Sequence, residues 1–423
     1  MTPAADVVVV GGGPAGASTA FQLARAGVRV TLLERARFPR MKPCAECLSP
    51  QASRVLEEMG VLERLERAGS LLRGMAVRAP DGTWMRGDYA ATHGYRGHRD
   101  RGLAIRRDIL DDVVLARAKE AGVEVVEDAR VTGVTLDARA RANGVTVLDR
   151  SGASRRVAAT VVVGADGLRS VVARRLGLAR AHRWPRRLSL VAHYRGVQQV
   201  GEYGEMHVEH DGFVGIADIG NGVTTVAAVF PEARARAISS GGGRGRFLDA
   251  WLRSKPQLGN RFDGAVPADR AWAVGPFASR ALRAWHSGGG AMLVGDAADF
   301  FDPFTGEGIY AALRGGELAA AAIHKALGAG RERDVLEAWQ GYDRARHREF
   351  SGKWRVERII GTCVAFPAVV NRAVRTLSTH KELADLLVGV TGDFVPATEV
   401  LRASYLARVF LAGRPTPSRT RIV

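Results

Sequence analysis

Asp6-Val7-Val8-Val9-Val10 is a short β-branched run, and Gly11-Gly12-Gly13-Pro14-Ala15-Gly16 follows it at once. Ala17 to Ala26 reads as a helix ended by Gly27, and Val28 to Leu33 as a second strand with Glu34 at its end. Apolar residues without alternation predict a strand buried on both faces. The whole is a βαβ unit with G-x-G-x-x-G spacing. In such a unit Gly11 permits the tight turn, Gly13 lets the backbone approach a pyrophosphate, and Gly16 lets helix and strand close up. The helix N-terminus then offers free N–H groups and its positive dipole end to the phosphates. Glu34 is placed to accept from a ribose hydroxyl. A chain that starts this way is expected to be α/β and to bind a dinucleotide, but this unit alone does not separate FAD from NAD.

Two more segments repeat the pattern of a buried strand ending in a carboxylate. Val161-Val162-Val163 runs into Gly164-Ala165-Asp166-Gly167, and Met292-Leu293-Val294 runs into Gly295-Asp296. Pro303-Phe304-Thr305-Gly306-Glu307-Gly308 comes next, before a long apolar helix from Ile309 to Leu327. A carboxylate at a strand end can accept from ligand hydroxyls, and a neighbouring Gly lets the ligand come close. Backbone N–H groups at the Gly306–Gly308 helix start favour negative charge, which a reduced flavin carries on its pyrimidine edge.

This ordered set resembles the p-hydroxybenzoate hydroxylase superfamily of FAD enzymes. Within it, Lys42-Pro43-Cys44 is similar to the geranylgeranyl reductase branch, and Arg107-Asp108-Ile109-Leu110-Asp111 to the family's R-x-x-[FL]-D helix start. The resemblance covers about residues 1–345. It implies that Gly11, Gly13, Pro14, Ala15, Gly16, Glu34, Arg35 and Val131 hold the ADP half of FAD. Arg107, Asp166, Gly167, Gly295 and Asp296 would hold the pyrophosphate and ribityl chain. Pro303, Gly306, Gly308 and Ile309 would line the isoalloxazine, with Cys44 beside it. NAD(P)H, or a separate reductase, would supply electrons.

By the same analogy the loop Phe38–Pro50 lies at the flavin, so Lys42, Cys44 and Glu46 are the catalytic candidates. Cys44-x-x-Cys47 has dithiol spacing. A buried thiol with an incidental neighbour is the preferred reading, because no second dinucleotide fingerprint is present; Gly241 to Gly245 lacks a preceding strand. The halogenase signature Trp-x-Trp-x-Ile-Pro is absent too.

From about Arg183 to Ala281 the texture changes to short strands with turns at Asp211-Gly212 and Asn221-Gly222. These are hairpin signals, and they predict an antiparallel sheet walling a mainly apolar pocket. His193, Tyr194, Tyr203, His207 and His210 are its candidate polar lining. The branch's Tyr-x-Trp-x-Phe-Pro segment corresponds to Gly212–Asp218, without the Trp and Pro. After Arg346 the chain reads as helices: 356–377, 382–388 and 397–412.

The predicted fold is therefore an α/β Rossmann-like FAD-binding domain, interrupted by an antiparallel substrate domain and followed by a helical tail. Its parts are FAD-binding segments 1–78, 102–180 and 282–345, a substrate-domain insertion 79–101, the main substrate sheet 181–281, and the tail 346–423. Length and composition fit: 423 residues with 46% hydrophobic and 25% charged suit a soluble chain of about two to three domains.

The formal charge of +17 raises nucleic acid as a partner. However, only six of the 61 basic residues are Lys, and the 55 Arg are scattered with no recognition motif, so nucleic-acid binding is not expected. An anionic substrate or headgroup suits the charge better, although membrane-surface contact is not expected. No apolar run approaches the roughly 18 residues of a membrane span. Three Cys are too few to staple a secreted fold, the N-terminus lacks a basic signal region, and a cytoplasmic location is expected. No metal-ligand spacing occurs. The expected function is reduction or dehydrogenation of a lipophilic isoprenoid-like or polyketide-like molecule through flavin. The alternative is NAD(P)H-dependent hydroxylation of an aromatic or polyketide substrate.

Overall fold

The computed structural model describes residues 5–411 except 92, 182–183, 185, 241–242, 278 and 282. The central sheet is built on Ala5–Val10. Val30–Leu33 and then Glu124–Val126 pair in parallel on one side, and Ser154–Gly164 on the other, with Ala291–Leu293 beyond it. Val7, Val8 and Val9 have no exposed surface, as β-branched side chains on a pleated, doubly covered surface require. The helix Pro14–Arg25 lies against this sheet and against helices Arg107–Glu120 and Gly308–Leu327.

Ser154–Gly164 serves two pairings. Its first residues continue an antiparallel meander with Ala142–Leu148 and Arg130–Leu136, and its last residues enter the parallel sheet.

The second large sheet runs in the order Val266–Pro267, Arg187–Arg195, Val223–Pro231, Gly212–Asp218, Tyr203–Glu209, Gly74–Arg78, Trp84–Asp88. It is antiparallel except where Gly74–Arg78 meets Tyr203–Glu209 in parallel. The hairpin Gly74–Arg78/Trp84–Asp88 belongs to it as a unit, so a boundary drawn between residues 78 and 79 cuts that hairpin. One face of the sheet packs on helices Pro367–Thr379 and Lys381–Thr391, which sit on Trp84–Asp88. The other face is covered by helix Arg244–Arg253, with Leu248, Trp251 and Leu252 in a separate core.

The tail differs from the sequence reading in two respects. The expected helix 397–412 is two, Thr398–Leu401 and Ala403–Leu411, among the described residues. A single helix spans Glu332–Cys363, across the boundary placed at 345, and contains no proline to stop it. Pro367 then opens a new helix at its first turn, where a missing N–H costs nothing. The interruption that Pro367 predicts within 356–377 is thus present. Among the described residues, no helix is long and apolar enough to cross a membrane.

Candidate active site

The glycine turn is built to admit nothing larger. A Cβ on Gly16 would stand 1.9 Å from the Gly11 carbonyl oxygen, and Gly11 itself has φ +104°. Glu34 is 5% exposed. Its carboxylate accepts from the Gly12 N–H at 2.7 Å and the Ala36 N–H at 2.9 Å, which holds it beside the turn.

Arg40 joins this group. Its Nη1 donates to Asp111 at 3.0 Å, and its Nη2 lies 4.0 Å from Glu34 and 3.7 Å from where a Gly13 Cβ would be. Sequence reasoning did not single out Arg40; its place in the loop after the βαβ unit was the available signal. Arg107, 3% exposed, grips Asp111 with both Nε and Nη2 at 2.7 and 2.8 Å. Arg40 faces the turn that would carry a pyrophosphate, and Arg107 lines the same cavity as Gly13. Arg35 is exposed and Val131 is buried in the main core, and neither lines the cavity described next.

Most of the singled-out residues converge. Gly13, Pro14, Ala15, Lys42, Cys44, Glu46, Arg107, Gly167, Gly295, Asp296, Pro303, Gly306, Gly308 and Ile309 line one cavity that opens to solvent. The opposite wall is apolar: Val191, Met206, Phe213, Val229, Val274 and Phe277 from the second sheet and its edge. Lys42 Nζ stands 3.7 Å from the Asp296 carboxylate, so this lysine is an ion-pair partner at the cavity.

Asp166 sits just behind the lining. One of its oxygens accepts from the Val171 N–H at 2.6 Å, while Oδ1 is buried with no hydrogen-bond partner among the described residues. Burial pushes its carboxyl above the usual range. An orphaned acceptor beside a glycine cradle fits a ligand rich in hydroxyls and phosphates, such as FAD.

Of the five candidate polar residues, His193 alone lies on the cavity side of the sheet, behind the lining and bonded to the lining residue Glu46. Met206 lines it, so its neighbour His207 must face the other way, as strand alternation dictates. Tyr194 packs in the outer core against Phe262, Tyr203 and His207 line a different cavity, and His210 is exposed. These four do not line the pocket.

His193 has no exposed surface and bridges two carboxylates, Nε2 to Glu46 at 2.7 Å and Nδ1 to Asp269 at 2.6 Å. Burial opposes its charged form, but the hydrogen bonds to Glu46 and Asp269 outweigh that and raise its titration. Glu46 is 1% exposed and held at φ +63°, and its other oxygen accepts from the Arg107 N–H at 2.9 Å. The Asp269 side chain is 23% exposed. The three groups thus form a hydrogen-bonded line from partly solvated Asp269 to the cavity wall.

A second acidic group was not foreseen. Glu307, Glu357 and Asp393 line the cavity with Lys353, which pairs with Asp393. They come from three distant segments, so spacing in the chain could not reveal them. Burial pushes Glu357 up to about 8, and Glu307 well above the usual carboxylate range.

A carboxyl raised in the folded state supports stability at low pH. That support is lost as pH rises from about 4.5 through 8. The holoprotein should therefore lose stability over this window, and Glu357→Gln should lose less of it, by up to about 5 kcal/mol. Gln can still accept from the Asp302 N–H that Glu357 takes at 2.9 Å. Denaturant melts at pH 5 and pH 8 check this; equal slopes for the two proteins would contradict it.

The cysteines are free. Cys44 Sγ accepts from the Glu46 N–H, and the Cys47 thiol donates to the Ala45 carbonyl, each at 3.4 Å. Burial pushes Cys47 up to about 12, which keeps this thiol protonated and a poor nucleophile at neutral pH. Cys47→Ser should keep turnover within about threefold; a loss beyond tenfold in a steady-state assay would restore the dithiol reading.

Comparison with known proteins agrees with an FAD-binding fold. A family model described as "FAD binding domain" matches residues 4–213. The chain is 27% identical over 420 residues to conditioned medium factor receptor 1 of Dictyostelium discoideum, covering 94% of this chain and 78% of that one. It is 30% identical over 347 residues to geranylgeranyl diphosphate reductase of Rhodobacter capsulatus, covering 80% and 79%. It is 26% identical over 432 residues to menaquinone reductase of Mycobacterium tuberculosis, covering 97% and 95%. Among solved structures, a myxobacterial FAD-dependent chondrochloren halogenase superposes with a TM-score of 0.75 at 24% identity, covering 83% of this chain and 81% of that one. That likeness shows the fold.

Proposed function

Because the chain belongs to the family of FAD-dependent oxidoreductases that share this FAD binding domain and include geranylgeranyl diphosphate reductase, we propose that it reduces a double bond in a lipophilic, isoprenoid-like molecule. The observation that carries this reading is the apolar wall of Val191, Met206, Phe213, Val229, Val274 and Phe277 facing the glycine motifs across one cavity. Such a wall binds by excluding water from hydrocarbon. Relatives named as reductases of a prenyl diphosphate and of a prenylated quinone support the same class.

The Gly11–Gly16 turn, Glu34, Arg40 and Arg107 would hold the nucleotide and pyrophosphate of FAD, and Asp166 and Asp296 the chain that joins them to the ring. When bound, FAD supplies hydride chemistry, with NAD(P)H or a partner reductase as the source of electrons. Saturating a double bond takes one hydride and one proton, and the proton is the protein's task. His193 holds it between Glu46 and Asp269. It passes to Glu46 at the cavity wall and is replaced from solvent through Asp269. The apolar wall keeps bulk water away from the reacting carbons.

The test is anaerobic turnover with NADPH or NADH and a panel of long-chain alkenes and prenylated quinones. A product two hydrogens richer is expected without oxygen. A product that forms only with oxygen and carries one of its atoms would assign the chain to hydroxylation instead.

A further inference from the structure

A second cavity opens on the opposite face of the large sheet. Met206 lines the first cavity, while Glu205 and His207, its neighbours on the strand, line this one. Successive strand residues point to opposite faces, so the sheet separates the two spaces.

The walls of this cavity carry more positive than negative charge. Arg78, Arg86 and Arg261 line it with Glu205 as the one carboxylate. Glu205 is fully used: it accepts from Arg261 Nη1 at 2.5 Å and Nη2 at 3.1 Å, and from His207 Nε2 at 2.7 Å. That bond fixes the His207 proton on Nε2, so Nδ1 is left to accept from Arg78 at 3.3 Å. Burial holds His207 below its usual range, so it stays neutral.

Arg78 is 3% exposed and forms no ion pair among the described residues. Glu209 and Glu205 both act on it electrostatically, but neither bonds to it. A buried cation with no carboxylate bonded to it is costly, and buried charges are normally paired directly. Arg86 adds an exposed cation at the rim, and the half-buried Trp84 ring, 5.9 Å from the Arg78 guanidinium, adds a flat apolar wall.

We propose that this cavity binds a phosphorylated small molecule whose anion pairs with Arg78 and Arg86. Guanidinium groups match phosphoryl oxygens in geometry and charge, and the space exceeds what a bare phosphate ion would fill. The sheet lies between this site and the flavin cavity, so the ligand is not the hydride donor. The inference is independent of the reductase reading and needs no turnover to test.

Calorimetry on the FAD-loaded protein at constant ionic strength would use orthophosphate, pyrophosphate and ADP as probes. Pyrophosphate or ADP should bind with Kd below about 1 mM and more tightly than orthophosphate. Arg78→Met should weaken binding at least tenfold, and the exposed Arg86→Ala several-fold. The Arg86 variant decides the matter if the buried one does not fold. No saturable binding of pyrophosphate or ADP, or affinity unchanged in the variants that fold, would overturn the proposal.

Discussion

Gly16→Ala is expected to fold and to purify without yellow colour. The added Cβ would lie 1.9 Å from the Gly11 carbonyl oxygen and 3.2 Å from a Val9 methyl. The first of these is backbone, so no rotamer change relieves it. The helix Pro14–Arg25 must move away from the strand end, and the N–H groups at its start move with it. Those groups are what a pyrophosphate would meet. Overpacking of this kind costs about 1–3 kcal/mol in stability, which a chain with this much buried sheet can survive. Misplaced phosphate donors should cost FAD affinity by roughly 10–100-fold, since each 1.4 kcal/mol is tenfold. The check pairs flavin absorbance per protein with far-UV circular dichroism. Full colour with native ellipticity would remove the glycine turn from the cofactor site.

His193→Gln is expected to keep FAD and lose turnover. Glutamine can still donate from its amide nitrogen to one of the two carboxylates, Glu46 or Asp269, but it cannot take up and release a proton. Loss of a positioned acid–base group lowers rate on the order of 10²–10⁴-fold. The variant should therefore fall at least a hundredfold in kcat, with KM for the lipophilic substrate nearly unchanged. Glu46→Gln should behave alike, because it breaks the same line at the cavity end. A merely structural role for His193 would instead shift stability or KM and spare kcat. Steady-state kinetics with a bound-flavin count separates the two.

The local part of this architecture was readable in the chain. Val7 to Val10, Gly11 to Gly16 and Glu34 are close in sequence, and their spacing alone encodes strand, turn and helix. Asp166 and Asp296 could be placed because each ends its own apolar strand. What the sequence could not show is which distant groups meet. Glu46 reaches His193 across 147 positions, and Glu307, Glu357 and Asp393 gather from three separate segments. Sheet register decides which of His193, Tyr194 and His207 turns inward, and a one-residue slip would reverse it. Two element boundaries were also hidden. Gly341, Gly352 and Gly361 are all tolerated within one 32-residue helix, and the hairpin at Gly74–Asp88 joins its sheet through a parallel pair with a strand far along the chain.

The most direct test of a flavin reductase is the fate of its reduced cofactor in air, without substrate. The protein is bleached anaerobically with NADPH, NADH or dithionite, then mixed with oxygenated buffer while the visible spectrum is followed. The reductase account predicts that the reduced flavin persists for minutes in air and is reoxidised quickly by a lipophilic alkene or quinone under nitrogen. Return of the flavin bands in air within seconds, with no reoxidation by any such acceptor under nitrogen, would contradict it.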